Sequence, residues 1–424
     1  MPNQSETTAV SRLRFPDFIG QPLREVWLSD VTAESALRNG DELPATSVMG
    51  VSKLNGIVPM EERVIAADIA RYKVVRKDWF AYNPMRLNIG SIARWRGEAD
   101  VLVSPDYVVF RSVDGPDLGI DPDYLDHFRQ SVAWDAFVSE GGDGGVRVRI
   151  YYKDLARLGL ALPLRAEQQK IADCLTTLDK VIAAQGRKVE ALKTYKRGLM
   201  QQLFPRESET LPRLRFPEFR GAPEWSTREL GKMTSKVGSG ITPLGGDKNY
   251  KAKGRPFVRS QNVGWGELLL NDIAYIDEET HRSFDATEIQ ENDVLLNITG
   301  ASIGRSAVAD SRIVGGNVSQ HVCIIRANVD ELDPVLLNQF LISERGQKQI
   351  DGFQAGGNRQ GLNFAQIRSF GIPFAPTERE QRRVADCFSS LDAAVVAEVA
   401  KLEKHKTHKG GLMQQLFPSL EDER

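Results

Sequence analysis

Along residues 167–203 the apolar positions step by four, three, four, three: Ile171, Leu175, Leu178, Ile182, then Gln185, then Val189, Leu192, Lys196, Leu199 and Leu203. This is an a/d heptad seam with two polar interruptions, and it predicts a helix from about Glu167 to Leu203. At 1.5 Å per residue such a helix is ~55 Å long. Pro163 before it and Pro205 after it fit its limits. The pattern returns in phase as Val384, Phe388, Leu391, Val395, Glu398, Leu402, His405, Lys409, Leu412 and Leu416, polar at the same two places and also at His405. Two such seams in one chain predict that the helices pack on each other, because neither buries its stripe alone. Polar seam residues cost stability and fix register.

The recurrence extends to identity. Leu162–Pro205 reappears at Ala375–Pro418 with an offset of 213 residues and no gap, so that Glu167-Gln168 falls on Glu380-Gln381 and Ala172-Asp173-Cys174 on Ala385-Asp386-Cys387. An internal repeat of this period makes two similar halves. Each half opens on one phrase, residues 11–18 and 212–219, both reading RLRFP, followed by a Gly and then Trp27 or Trp225. We expect these lead-in segments to anchor their aromatics against the foot of a long helix. Between lead-in and helix, each half carries an arm of diverged sequence whose skeleton persists. Ser104–Arg111 aligns with Ser319–Arg326, Asp121-Pro122 with Asp333-Pro334, and Gly141-Gly142 with Gly356-Gly357. Short apolar runs at 107–110, 257–258, 294–296 and 322–325 predict strands. Helices are predicted to start after both Asp-Pro pairs, over 121–128 and 334–341. The fold class is therefore mixed α/β arms in tandem with two long helices. The domain boundaries follow as 1–160 for the first arm, 161–205 for the first helix, 206–371 for the second arm and 372–424 for the second helix with its tail.

Charge is balanced, 55 Lys and Arg against 57 Asp and Glu, so nucleic-acid binding must rest on local patches or on a partner's charge. Three cysteines supply no disulfide framework, and Cys174 and Cys387 read as small buried apolar residues. The N-terminus has no signal-like pattern and no run approaches the roughly 18 apolar residues of a membrane span, which predicts a cytoplasmic protein.

Nothing in the sequence predicts catalysis or a bound cofactor or metal. No phosphate-binding GxxxxGK motif occurs, and the glycines of 238–243 lack dinucleotide-loop spacing. Asn83-Pro84-Met85-Arg86 is only a near miss to a base-methylating motif, and five scattered histidines make no cluster. Polar loops are the more promising feature. Arg, Asn and Gln make bidentate contacts to base edges, while Gly with Ser or Thr lets backbone N–H groups approach phosphates. The second arm offers Arg259, Gln261, Asn262, Asn297, Thr299, Ser302, Arg305, Asn317, Gln320, Asn358, Arg359 and Gln360, with a basic strip at Lys248, Tyr250 and Lys251. The first arm offers Asn83, Arg86, Asn88, Ser91, Arg94 and Arg96, and a second tip with Arg147 and Arg149.

The repeated EQQKIADCLTTLD…KRGLMQQLFP segment, the RFPDF and RFPEF lead-ins, and arm phrases such as NDVLLNITGASIGRSAVA and GGNRQGLNFAQIRSFGIP resemble the specificity subunits of type I restriction-modification systems over essentially the full length. That resemblance implies a non-catalytic reader of double-stranded DNA. Two target-recognition domains would each bind half of a split site, and antiparallel helices would set the unread gap. Two methyltransferase subunits using S-adenosylmethionine would methylate adenine, and restriction subunits using ATP and Mg2+ would cleave unmodified DNA. A fused restriction-methylation enzyme would need motifs not visible here; an inactive relative remains an alternative, as does a tandem protein adaptor, which salt-dependent DNA affinity would separate from a DNA reader.

Overall fold

In the computed structural model, residues 13–60, 68–113, 115, 118–140, 149–243, 246–354 and 361–417 are described. The chain forms two compact units, residues 1–185 with 401–424 and residues 186–400. Each unit therefore holds one arm and part of both long helices, which run over Arg165–Leu203 and Glu378–Leu416.

In the first unit a four-stranded antiparallel sheet has the spatial order Thr32–Glu34, Val108–Ser112, Phe80–Tyr82, Ile92–Arg94. In the second, Thr234–Ser239, Val322–Ala327, Val294–Asn297 and Ser306–Val308 take the same order, again antiparallel. The second arm adds a three-stranded sheet in which Arg255–Val258 lies between Ala274–Ile276 and Asn317–Val318. In both arms a strand after the lead-in pairs with the strand before the long helix, Arg24–Trp27 with Gly159–Leu162 and Ser226–Glu229 with Gly371–Phe374. The helices that start at Pro122 and Pro334 are capped as expected. Asp121 accepts hydrogen bonds from the N–H groups of Asp123 and Tyr124, and Asp333 from those of Val335 and Leu336.

The repeated Glu-Gln pair fastens arm to helix. Gln168 accepts from the Asp121 N–H (2.8 Å) and donates to the carbonyls of Gly119 and Pro163, while Gln381 accepts from Asp333 N–H (3.0 Å) and donates to Glu331 O. Glu167 receives the Arg14 guanidinium and Glu380 receives that of Arg215. The lead-ins also reach the other helix of their own unit, through Leu13 N–H to Gln415 O and Leu214 N–H to Gln202 O. Their phenylalanines sit under helix cations, Phe15 beneath Lys170 and Phe216 beneath Arg383. The two tryptophans are not equivalent. Trp225 is buried just before its strand, but Trp27 ends its strand, opposite Gly159 where the second arm has Glu229 opposite Gly371, and is 58% exposed. The alternation of a strand decides this, because its last position points away from the core.

The helices run antiparallel within each unit. In the first, Ile171 and Leu175 share a core with Leu416 and Phe417, and Asp179 pairs with Lys409 at 2.6 Å. In the second, Phe388 stacks on Phe204 and Asp392 pairs with Lys196 at 2.5 Å. The lysines that interrupt the seams thus meet carboxylates in reciprocal pairs, and Glu398 meets Lys188. Seam positions Ile171, Leu175, Val189, Val384 and Phe388 are buried, whereas Leu178, Ile182, Leu192, Leu199, Leu391, Val395, Leu402 and Leu412 are half-buried. Cys174 and Cys387 are half-buried rather than buried, being flanked by polar helix positions. Cys323 is the buried thiol, and its pKa is pushed up to about 12 by burial.

One residue distinguishes the two Lys–Asp sites. Gln339 donates to Asp392 at 2.8 Å, whereas the matching position in the first unit is His127, whose Nε2 meets Thr176 Oγ1 at 2.9 Å and whose Nδ1 lies 3.9 Å from Asp179. Burial, and next the Lys409 ammonium, hold the His127 imidazole below its usual range, against opposing pulls from Asp179 and Asp126 and a further push from Arg96. A lowered folded value means that the neutral form is the native one. Its contribution to stability is complete above the unfolded value of about 6.5 and is lost as pH falls from there toward the folded value. His127→Gln is expected to flatten the fall in melting temperature between about pH 6.5 and 5, measured by thermal denaturation beside the wild type. Identical pH profiles would refute this.

Candidate nucleic-acid interface

The second arm's polar loops gather at one end of its sheets. Beyond the Val294–Asn297 strand the chain turns and comes back as Ser306–Val308, and the turn is closed by Asn297 N–H to Arg305 O (2.8 Å) and Gly304 N–H to Asn297 O (3.0 Å). Gly300, at φ +72, takes the left-handed backbone that this reversal requires. The Asn297 side chain donates to Ser260 O (2.8 Å), which brings the 260–262 turn alongside. Ile298 N–H donates to His321 O (3.0 Å), which does the same for 319–321. The outward residues are then Gln261, Thr299, Ser302, Arg305, Gln320 and His321, exposed or half-buried. Thr299 Oγ1 lies 2.7 Å from His321 Nδ1, and Gln320 Nε2 lies 3.3 Å from His321 Nε2, so donors and acceptors are chained across this rim. His321 was not among the sequence candidates. Its one sequence signal is its place between Gln320 and the strand that begins at Val322.

Three of the proposed contacts are corrected by burial. Asn262 accepts from Arg259 N–H and donates to Leu269 O, Asn297 tethers the turn just described, and Asn317 donates to Phe284 O and Thr287 Oγ1 while its Oδ1 meets His281 Nδ1 at 2.7 Å. All three are 0–1% exposed, and turning such an amide outward would forfeit these bonds. They position the loops and do not face a ligand. In the basic strip, Arg259 lies over Tyr250 and donates to Asp272, Gln261 donates to the same carboxylate, and Lys251 pairs loosely with Asp277 at 3.5 Å. Lys248 is exposed. Exposed pairs of this kind contribute little and exchange readily for a phosphate.

In the first arm the corresponding turn joins Phe80–Tyr82 to Ile92–Arg94. Arg86 and Asn88 are exposed on it, and Asn83 is half-buried with its Oδ1 accepting from Met85 N–H. Ile150 N–H to Pro84 O (3.0 Å) places exposed Arg149 beside the turn. Two candidates are corrected here. Ser91 is buried and donates to Val51 O, and the Arg94 side chain is 7% exposed between Asp78 and Asp123, its charge already answered. Arg96 pairs with Asp126 but stays 53% exposed. Arg147, Asn358, Arg359 and Gln360 lie outside the described residues. Among the described residues no three His, Cys, Asp or Glu side chains gather as a metal site, and no helix is long and apolar enough to cross a membrane.

The chain is similar over 87% of its length, at 22% identity, to a protein of Methanocaldococcus jannaschii provisionally named as the MjaX type I restriction enzyme specificity subunit, of which 82% is covered. Residues 223–404 match the family described as the type I restriction modification DNA specificity domain. Residues 223–404 thus carry the match to a type I DNA specificity domain, and most of the chain is similar to type I restriction enzyme specificity subunits. The matched domain is described by its DNA specificity. The fold agrees. The S subunit of the type I system from M. genitalium superposes with a TM-score of 0.58 at 12% identity, covering 97% of this chain and all of that one. A chain from a structure concerned with assembly and conformational transition of the type I system gives 0.57 at 16%, covering 94% and 98%.

Proposed function

We propose that this chain is a type I specificity subunit that reads a bipartite, asymmetric duplex site, one half with each arm, residues 1–160 and 206–371, while the helical segments 161–205 and 372–424 set the unread gap. The observation that carries this reading is the matched turn at the same strand end of each arm, 83–91 and 298–305, built on one frame but with different outward side chains. A common frame with different donors suits two different short targets. The long helices would also dock two methyltransferase subunits that methylate adenine with S-adenosylmethionine, joined in the cytoplasm by restriction subunits that require ATP and Mg2+. The contacts proposed are Arg86, Asn88, Arg96 and Arg149 in the first arm and Lys248, Lys251, Gln261, Thr299, Ser302, Arg305, Gln320 and His321 in the second.

Modified-base sequencing of DNA from cells carrying the adjacent methyltransferase, with and without this chain, tests the proposal. A split methylated motif that appears only with the chain supports it. A competent methyltransferase whose pattern ignores the chain rejects it and moves the reading to a protein adaptor. Within that experiment Gln320→Ala has a defined outcome. An exposed glutamine on the rim carries no stability, so melting should be unchanged, while discrimination at one base of the second arm's half-site should drop by about 1–3 kcal/mol. Methylation would then spread to sites differing at that base.

A further inference from the structure

Two stretches of the first arm, residues 43–60 and 79–97, contain no carboxylate in a chain that has 57 acidic residues among 424. The structure brings them together. Met49–Ser52 and Gly56–Pro59 form a hairpin whose Met49, Val51 and Ile57 pack on the core around Ala81 and Val109. Gly56, at φ +71, lies over Ala93, and the Lys53 side chain runs against Gly90. Ser91 Oγ donates to Val51 O (3.1 Å), tying the hairpin to the turn that carries Arg86 and Asn88.

The tip itself, Lys53-Leu54-Asn55, has no such burial. Ser52 Oγ accepts from the N–H groups of Leu54 and Asn55 (both 3.3 Å), so the tip is shaped, yet Leu54 is 88% exposed. On the adjoining 83–91 turn Ile89 is 55% and Met85 47% exposed. Neither Lys53 nor Arg86 forms an ion pair among the described residues. The apex of this packed hairpin is apolar, has basic neighbours and no carboxylate, and so repels nothing on a polyanion, and a two-stranded ribbon has the width of a DNA groove. Apolar apices that press on bases are a known device of groove-entering proteins.

Resting on the reading of the chain as a DNA reader, we infer that the 49–59 hairpin of the first arm enters a groove of the duplex, with Leu54 against base edges and Lys53 and Arg86 on phosphates. The partner is the half-site read by the first arm.

The test uses the full chain in complex with its methyltransferase, and fluorescence anisotropy on a duplex bearing the methylated site and on a scrambled duplex. Leu54→Ala should weaken binding to the site by about tenfold while scarcely changing binding to scrambled DNA. Lys53→Ala should weaken both and lower the slope of log affinity against log salt by about one. The melting temperature should hold for both variants, since neither side chain is buried. Wild-type affinity and salt slope in both variants, with the chain still directing methylation, would overturn the hairpin assignment and leave the proposed function standing. A wild-type complex whose DNA binding does not depend on the chain would overturn both.

Discussion

Arg215→Ala is expected to destabilise the second unit by about 3–5 kcal/mol, read as a loss in the unfolding transition of the full chain. Glu380 is 1% exposed, and its carboxylate accepts Arg215 Nε (2.7 Å) and Nη2 (2.8 Å) as well as Trp225 Nε1 (3.0 Å). The same guanidinium donates to the carbonyls of Ala222 and Pro223. Removing it strands a buried carboxylate and the half-buried carbonyl of Ala222, and the penalty is mostly the desolvation of that unanswered charge. The cost belongs to the orphan and not to the pair. Arg215→Met with Glu380→Leu should therefore recover most of the loss, because an apolar pair of similar volume is often neutral. Arg14→Ala, the repeat-equivalent change, should cost less. Arg14 is 13% exposed against 8% for Arg215, and no tryptophan donor reaches Glu167 among the described residues. If the double variant were as unstable as Arg215→Ala, the loss would lie in packing and the charge argument would fail.

The contrast between Arg14 and Arg215 also marks what a sequence carries and what it hides. The long helices were legible because a 3.5-residue apolar period over 39 residues is self-reporting, and the observed limits lie within two residues of Glu167 and at Leu203. The Asp-Pro helix starts were legible because capping chemistry is local. Whether an outward-reading polar residue faces solvent is a tertiary property. Asn297 and Thr299 stand two apart on one polar loop, yet the first is fully buried as a tether and the second lies on the rim. Arg94 and Arg96 also stand two apart and both reach Asp123, yet Arg94, at the end of its strand, is 7% exposed between Asp78 and Asp123 while Arg96, beyond the strand, stays 53% exposed. Leu54 was not among the sequence candidates, because an apolar residue between Lys and Asn gives no sign of exposure until the hairpin puts it at the apex.

The internal repeat supplies its own control for the second large effect, Phe388→Ala, expected to cost about 3–5 kcal/mol in the same unfolding measurement. Phe388 is fully buried, and its ring stacks on Phe204 at 5.9 Å and 16° within a core that includes Val384, Leu203 and Trp225. Truncation leaves a ring-sized cavity among residues held by two helices, which have little freedom to collapse into it. The equivalent position in the first unit is Leu175, also fully buried. Phe388→Leu thus imports a side chain that the same helix frame already accommodates, and its cost should stay below about 1.5 kcal/mol. Under the proposed function the two variants also part in modified-base sequencing. Phe388→Leu preserves the helix seam and with it the gap of the methylated motif, so the motif should be unchanged. Phe388→Ala should lower methylation of that motif through loss of folded subunit, with the motif's two halves and their spacing intact at the sites that remain. A shifted gap in either variant would mean that Phe388 sets helix register as well as core volume.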